Sequence, residues 1–182
     1  IEKNGYHMFF TISGGAASFN TQEDSYEDVL KNAKFALHVS KLNGKNTFTP
    51  YSEDEYLSYI RRIDIQEELR KCVENDFKGF EVYYQPIMKP QTNTLYGSEA
   101  LIRWHSEKYG FMSPVDFVPL LEESALIIPL GKWIIENAVR QCKAWVSVYP
   151  DFIMNINLSF VQIIKSDILK DAVELLEQYE LS

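Results

Sequence analysis

Runs of alternating apolar and polar residues predict three strands in the second half of the chain. They lie over residues 80–88, 95–104 and 152–160, and each run is rich in β-branched or aromatic side chains. Residues 89–94, with the sequence KPQTNT, predict a turn between the first two strands. The third strand comes much later in the chain, after a stretch of helical spacing.

Apolar residues at helical spacing predict three helices around the third strand. One begins at Ser113 with Pro114 in its first turn, a longer one covers about residues 129–148, and another covers residues 166–179. The order of strands and helices predicts an α/β protein. We expect either a barrel or a layered sheet that this chain begins and does not finish.

The first third of the chain predicts a smaller unit of strand, helix and strand. We expect a strand over residues 7–13, a helix capped by Ser25 and stopped near Gly44, and a short strand over residues 46–50. Such a unit is too small to hold a core of its own.

Residues 52–75 are charged and helical, but their apolar stripe loses phase near Asp64. Asp64 and Glu67 have the spacing of a capping box, which is typical of a helix start. We therefore predict two helices that meet near Asp64, and a domain boundary at about residue 63.

The segment EALIRW, residues 99–104, contains a carboxylate and a guanidinium in an apolar run. As a strand it places Glu99, Leu101 and Arg103 on one face, with the two charges roughly 13 Å apart and unable to satisfy each other. Each buried charge would then need another partner, a metal or a ligand. The alternative is a helix, in which Glu99 and Arg103 form a surface ion pair. The neighbouring turn and Gly97 favour the strand.

Polar groups occur in all three predicted strands of the second half. Gln85 lies in the first, Glu99 and Arg103 in the second, and Asn155 and Asn157 share a face of the third. Carboxylate and amide oxygens suit a hard cation such as Mg²⁺ or Mn²⁺, and the guanidinium fork suits a phosphate. The combination predicts metal-assisted phosphate chemistry, although single amides at strand ends commonly satisfy turns instead.

Composition narrows the class of protein. The 182 residues carry a formal net charge of −8, which argues against a surface that coats DNA or RNA. No apolar run is long enough for a membrane span, and no signal peptide pattern is present, so we expect a cytoplasmic location. The chain starts at Ile1 with no initiator Met, and we expect it to be a fragment of a longer protein.

Five ordered motifs resemble the first half of an EAL domain. They are YYQPI at residues 83–87, EALIRW at 99–104, SPVDFVPLLEES at 113–124, IPLGKWIIENA at 128–138 and NLS at 157–159. Their order and spacing carry the resemblance more strongly than the three letters EAL alone.

An upstream resemblance is to the end of a GGDEF domain. It is carried by ISGGAA at residues 12–17 and AKFALHVSKLNGKN at 33–46. The two resemblances together imply a GGDEF remnant over residues 1–50, a helical linker over 51–63, and the first half of an EAL domain over 64–182.

The EAL resemblance implies a modified (β/α)₈ barrel of the TIM type that hydrolyses cyclic di-GMP to pGpG with two Mg²⁺ or Mn²⁺ ions. It implies that Glu99 is a catalytic metal ligand and that Asn157 is a second ligand. It also implies that Gln85 and Arg103 hold the cyclic dinucleotide and that Leu101 lines its pocket.

The resemblance also implies that part of the site is missing. The family's later carboxylates and its lysine would lie beyond Ser182, so about three of eight strands are present. We therefore expect the parent protein to be a phosphodiesterase and these 182 residues alone to be inactive. The alternatives are a non-catalytic sensor that binds cyclic di-GMP, and a linker whose helices transmit a signal or form a homodimer.

Overall fold

The computed structural model of the protein describes residues 2–3, 6–7, 9–19 and 25–181. Its residue contacts divide the chain into two compact units, residues 1–62 and 63–182. All five candidate site residues predicted from the sequence lie in the second unit. None of the helices in the described part is both long and apolar enough to span a membrane.

In the described part of the first unit, one complete helix and the start of another accompany two short pairs of strands. Strands β1 (Glu2–Lys3) and β2 (Tyr6–His7) are antiparallel. Strands β3 (Gly14–Ala16) and β4 (Phe48–Pro50) are parallel, and helix α1 (Tyr26–Leu42) packs on both. The predicted order of strand, helix and strand is therefore present in this unit.

The first strand of that unit differs from the prediction. Of residues 7–13, His7 ends β2, Met8 lies outside the described residues, and residues 9–13 are not in a strand. The strand forms instead at Gly14–Ala16, because Gly15 allows the backbone to approach α1 closely: a Cβ at this position would lie 2.1 Å from the Leu37 nitrogen. Glycine is the residue that permits such an approach.

The predicted start of α1 is confirmed. The Ser25 side chain accepts a hydrogen bond of 3.1 Å from the backbone N–H of Asp28. This bond satisfies one of the N–H groups that the first turn of a helix leaves without an intrahelical partner.

Helix α2 (Glu53–Glu74) is continuous, so the predicted break near Asp64 is wrong. Its apolar stripe changes phase because the two halves have different packing partners. The Tyr59 ring contacts Phe35 of α1 at 5.3 Å between centroids, whereas Leu69 is fully buried in the core of the second unit. A change of partner along one helix produces the same sequence pattern as two helices.

The second unit is built on a four-stranded sheet with β6 at its centre. The strands are β5 (Phe80–Lys89), β6 (Thr94–Ser106), β7 (Gly110–Met112) and β8 (Ile153–Ile156). β5 and β7 are antiparallel to β6, and β8 is parallel to it. The predicted strands over 80–88 and 95–104 are confirmed, β7 was not predicted, and the third strand is shorter than residues 152–160.

Besides the second half of α2, four helices accompany this sheet: α3 (Pro114–Glu123), α4 (Ile127–Val146), α5 (Phe160–Lys165) and α6 (Ile168–Gln178). Three of these four match predicted helices, and α5 begins at Phe160, the last residue of the predicted third strand. Helix α3 begins directly after its predicted cap residue, Ser113, with Pro114 in the first turn. The result is a mixed α/β unit.

The core of the second unit lies between the sheet and its helices. Trp104 of β6, Phe117 of α3 and Leu130 of α4 are fully buried there. The Trp104 and Phe117 rings make an edge contact at 5.6 Å between centroids. One face of the sheet is therefore covered by helices, which leaves the other face for polar side chains.

Candidate functional site

Three neighbouring strands place polar side chains in one row across the sheet. Gln85 of β5 lies directly opposite Glu99 of β6, and Glu99 lies opposite Asn155 of β8. Residues that are directly paired in a sheet point to the same face. The register thus brings together amide and carboxylate groups that are up to 70 residues apart in the sequence.

The alternation of β6 decides which face carries this row. Ala100 and Trp104 are buried on the helix-covered face, whereas Glu99, Leu101 and Arg103 are half-buried on the other face. The helical alternative for residues 99–104 is wrong. The predicted shared face of Glu99, Leu101 and Arg103 is confirmed.

Glu99 makes its contact at the end of β8. The Asn157 Nδ2 atom donates a hydrogen bond of 2.6 Å to Glu99 Oε1. Within the described residues, no other hydrogen bond occupies the second carboxylate oxygen of Glu99 or the carbonyl oxygen of Asn157. One oxygen atom of Glu99 and one of Asn157 therefore remain without a hydrogen-bond partner in the described part of the chain.

Strand spacing predicted that Arg103 does not pair with Glu99, and the two side chains form no salt bridge. Its Nη1 atom donates a hydrogen bond of 2.8 Å to the Ile102 carbonyl, and its guanidinium carbon lies 5.7 Å from the centre of the Tyr83 ring. That distance is within the range of a cation–π contact. The remaining donors of the fork are free for an anion, because no carboxylate in the described part of the chain forms a salt bridge with Arg103.

A cavity of about 190 Å³ lies between β6 and the helices α3 and α4. It is lined by Ala100, Leu101, Ile102, Arg103, Pro114, Val118, Ile134 and Asn157. Leu101, Arg103 and Asn157 were thus predicted for one site and do share one cavity. Glu99 and Gln85 do not line it: Glu99 contacts the lining residue Asn157, and Gln85 is exposed on the neighbouring strand β5.

The donor atoms suit a hard cation only in part. Glu99 and Asn157 supply two oxygen ligands of the type that Mg²⁺ and Mn²⁺ prefer. Within the described residues, no three His, Cys, Asp or Glu side chains lie close enough together to hold a metal ion. Further ligands would have to be water, substrate oxygens or other protein groups, and Mg²⁺ commonly keeps several waters.

The sequence placed Ser159 in the third strand and missed its role as a helix cap and its contacts with Gln162 and Glu122. Ser159 caps α5, Gln162 completes a capping box with it, and the Ser159 hydroxyl donates a hydrogen bond of 2.6 Å to Glu122. The spacing of Ser159 and Gln162 is the known signature of a helix start and would have revealed α5. The contact with Glu122 has no such signature, because it joins residues of two helices.

The second unit resembles proteins of one known family. The model of the EAL domain matches residues 65–182. The cyclic di-GMP phosphodiesterase NbdA of Pseudomonas aeruginosa is 30% identical over 144 residues, which cover 79% of this chain and 18% of NbdA. The bifunctional diguanylate cyclase/cyclic di-GMP phosphodiesterase MucR of the same organism is 25% identical over 158 residues, which cover 86% of this chain and 23% of MucR.

A solved structure shows the same fold. The PaMucR phosphodiesterase in a c-di-GMP complex matches with a TM-score of 0.59 and 28% identity, over 65% of this chain and 47% of that chain. The chain spans less than a quarter of the length of the two curated relatives. The mixed α/β fold of the second unit is that of EAL domains, which are of the TIM-barrel type, and the chain belongs to the EAL domain family.

Proposed function

We propose that the protein containing this chain hydrolyses cyclic di-GMP to the linear dinucleotide pGpG. The contact between Glu99 and Asn157 is the observation that carries the proposal, because it joins a carboxylate and an amide that each keep one oxygen atom without a hydrogen-bond partner among the described residues, and Asn157 lines a cavity that Arg103 also lines. A cyclic dinucleotide has two phosphates, and Arg103 supplies positive charge locally in a chain of net charge −8. The named activities of NbdA and MucR support the same substrate.

The proposed roles follow from the donor atoms. Glu99 Oε2 and Asn157 Oδ1 would hold Mg²⁺ or Mn²⁺. When bound, such an ion lowers the pKa of a water ligand and polarises a phosphoryl oxygen. Arg103 binds phosphate oxygens through the donors that Ile102 does not use, and Gln85 and Leu101 contact the dinucleotide from the same face.

We further propose that residues 1–50 are the end of a GGDEF domain and that residues 51–63 link it to the EAL domain, which begins at about residue 64. The parallel pair of β3 and β4 with α1 packed on it supports this assignment. The relative MucR, matched over 86% of this chain, has a name that includes both cyclase and phosphodiesterase activities.

The test is hydrolysis of cyclic di-GMP by the full-length protein with Mn²⁺, followed by chromatography of pGpG. We expect Glu99→Gln to abolish turnover and leave the circular dichroism spectrum unchanged, since the exchange removes a charged ligand without changing the shape of the side chain. Glu136→Gln is the matched control, because Glu136 is an exposed carboxylate of α4 away from this face. Near-normal turnover by Glu99→Gln would contradict the ligand role.

Binding of cyclic di-GMP without hydrolysis by the full-length protein would favour the alternative, a non-catalytic sensor. For the isolated 182 residues we expect no turnover, because the described residues supply only two neighbouring oxygen ligands for a cation. Production of pGpG by the isolated chain would contradict this expectation.

A further inference from the structure

The turn after β8 determines where the Asn157 side chain points. β8 ends at Ile156, and Ser159 is already the cap of α5, so only Asn157 and Leu158 connect the two elements. Asn157 is exposed, and its carboxamide contacts Glu99 on the neighbouring strand β6. A connection this short transmits any shift of Ser159 directly to Asn157.

The hydroxyl and the backbone N–H of Ser159 take part in three hydrogen bonds. Its hydroxyl accepts from the N–H of Val161 at 3.2 Å, and its own N–H donates to Gln162 Oε1 at 2.8 Å. The same hydroxyl donates to Glu122 Oε1 at 2.6 Å, a bond to a carboxylate from a different helix. Hydrogen bonds to charged groups are shorter and stronger than neutral ones.

Gln162 is fixed by packing as well as by the capping box. It is only 2% exposed, and it occupies a notch in α4 at Gly131. A Cβ at position 131 would lie 1.6 Å from Gln162 Nε2, so any larger residue there would displace the side chain. The six-residue helix α5 is too short to be stable by itself, and these tertiary contacts hold its first turn.

We propose that Glu122, acting through Ser159, is a positioning residue for the Asn157 carboxamide, and that Gln162 in the Gly131 notch supports the same turn. Glu122 lies in the last turns of α3 and has no contact with Glu99 or with the cavity at Arg103. Its effect on the site therefore passes through the turn. The role of Asn157 as a metal ligand rests on the proposed function, whereas its placement against Glu99 does not.

The first experiment measures the Asn157 carboxamide directly by NMR in the 182-residue protein, with the resonance assigned through an Asn157→Asp variant. We expect Glu122→Ala to shift and broaden the carboxamide resonance, because Ser159 loses its partner on α3. Glu122→Gln retains an oxygen that accepts from Ser159 and should restore most of the wild-type position. Gly131→Ala should reproduce the shift by displacing Gln162, which provides an independent route to the same turn.

Glu123→Ala is the matched control. It removes the neighbouring carboxylate from the same helix end, but Glu123 contacts Gln66 rather than Ser159. If Glu122 acts on Asn157 through Ser159, the Glu123→Ala protein should keep the wild-type carboxamide resonance. Equal shifts in Glu122→Ala and Glu123→Ala, or no shift in Glu122→Ala, would overturn the proposal.

The second experiment measures Mn²⁺ affinity by calorimetry in the full-length protein. Loss of a group that orients a metal ligand typically weakens metal binding about 10-fold to 100-fold, and we expect a weakening in that range for Glu122→Ala but not for Glu123→Ala. If the wild-type protein binds no Mn²⁺, the proposed function loses its metal, and the carboxamide resonance still decides the positioning role. Unchanged Mn²⁺ affinity in a Glu122→Ala protein whose wild type binds Mn²⁺ would overturn the link to the site.

Discussion

The two faces of strand β6 have the same backbone and different surroundings. On one face, Ala100 and Trp104 are 4% and 0% exposed beneath the helices. On the other, Glu99 and Arg103 are half-buried and contact an exposed asparagine and a half-exposed tyrosine. The covered face packs into the core, and the open face presents the polar groups to which we assign the proposed chemistry. Substitutions on the two faces should therefore change different measurements.

The largest effect on stability is expected on the covered face. Trp104→Ala removes a fully buried side chain that stacks on Phe80 and contacts Phe117, so it should lower the free energy of unfolding by about 3–5 kcal/mol. Urea denaturation of the chain measures this loss. Gln85→Ala on the open face is the control and should change stability by no more than about 0.5 kcal/mol. Equal losses of unfolding free energy in Trp104→Ala and Gln85→Ala would contradict the difference between the two faces.

The second effect is on ligand binding. Arg103→Ala should weaken cyclic di-GMP binding by about 1.5–3 kcal/mol, the typical contribution of a hydrogen bond to a charged group. Arg103→Lys keeps the charge but loses the planar fork, and should recover only part of the affinity. Calorimetric titration of the full-length protein without metal measures both variants. An unchanged dissociation constant for Arg103→Ala would mean that the guanidinium is structural.

Gly97 is an open-face residue whose substitution we expect to change stability. It shares the open face with Glu99, yet it is buried, and a Cβ there would lie 2.2 Å from the Ile153 carbonyl oxygen. Gly97→Ala should push β8 away from β6 and cost about 1–3 kcal/mol of stability. The measurement is again urea denaturation, with Gly110→Ala as a control at an open position whose positive φ of 69° adds backbone strain but no clash. A Gly97→Ala chain as stable as the wild type would show that β8 is loosely paired.

The smallest effect on stability is expected just after β6, where Lys108 and Tyr109 contact Asp64 of α2. Hydrogen bonds from Lys108 and then from Tyr109 lower the pKa of the Asp64 carboxyl below its ordinary value. A lowered folded-state pKa stabilises the protein above the unfolded pKa, and this contribution is lost as the pH falls through the folded value. The urea midpoints of wild type and Asp64→Asn should therefore differ slightly at pH 7 and converge below about pH 4.

Lys108→Met supplies the control for the Asp64 measurement. It removes the Lys108 ammonium that contacts the Asp64 carboxylate. In the Lys108→Met background, the change in urea midpoint caused by Asp64→Asn should therefore be smaller than in the wild type. A difference between wild type and Asp64→Asn that grows as the pH falls would contradict the assigned direction of the pKa shift.

Much of the fold was predictable because the elements have clear periodicity. The strands over 80–88 and 95–104 alternate cleanly, and the cap residues Ser25 and Ser113 stand where the helices begin. The strand over 7–13 was misplaced because apolar residues alone do not show which segment finds a β partner. The break at Asp64 was wrong because one helix changed its packing partners.

The candidate site was predictable residue by residue but not as an assembly. Alternation along one strand placed Glu99, Leu101 and Arg103 on a common face, and the structure agrees. The roles of these residues with metal and ligand stay predictions. The hydrogen bond between Ser159 and Glu122 was not predicted, because a contact between side chains 37 residues apart produces no periodic pattern in a sequence.

Local spacing and motif order were enough to predict the strands over 80–88 and 95–104, the shared face of Glu99 and Arg103, and the ordered motifs of an EAL domain. Three features depend on the folded chain: Asn157 reaches Glu99, Gln85 stands opposite Glu99, and the turn that carries Asn157 rests on another helix. They depend on register. Contacts between strands and helices depend on how distant segments align, and local patterns do not encode that alignment.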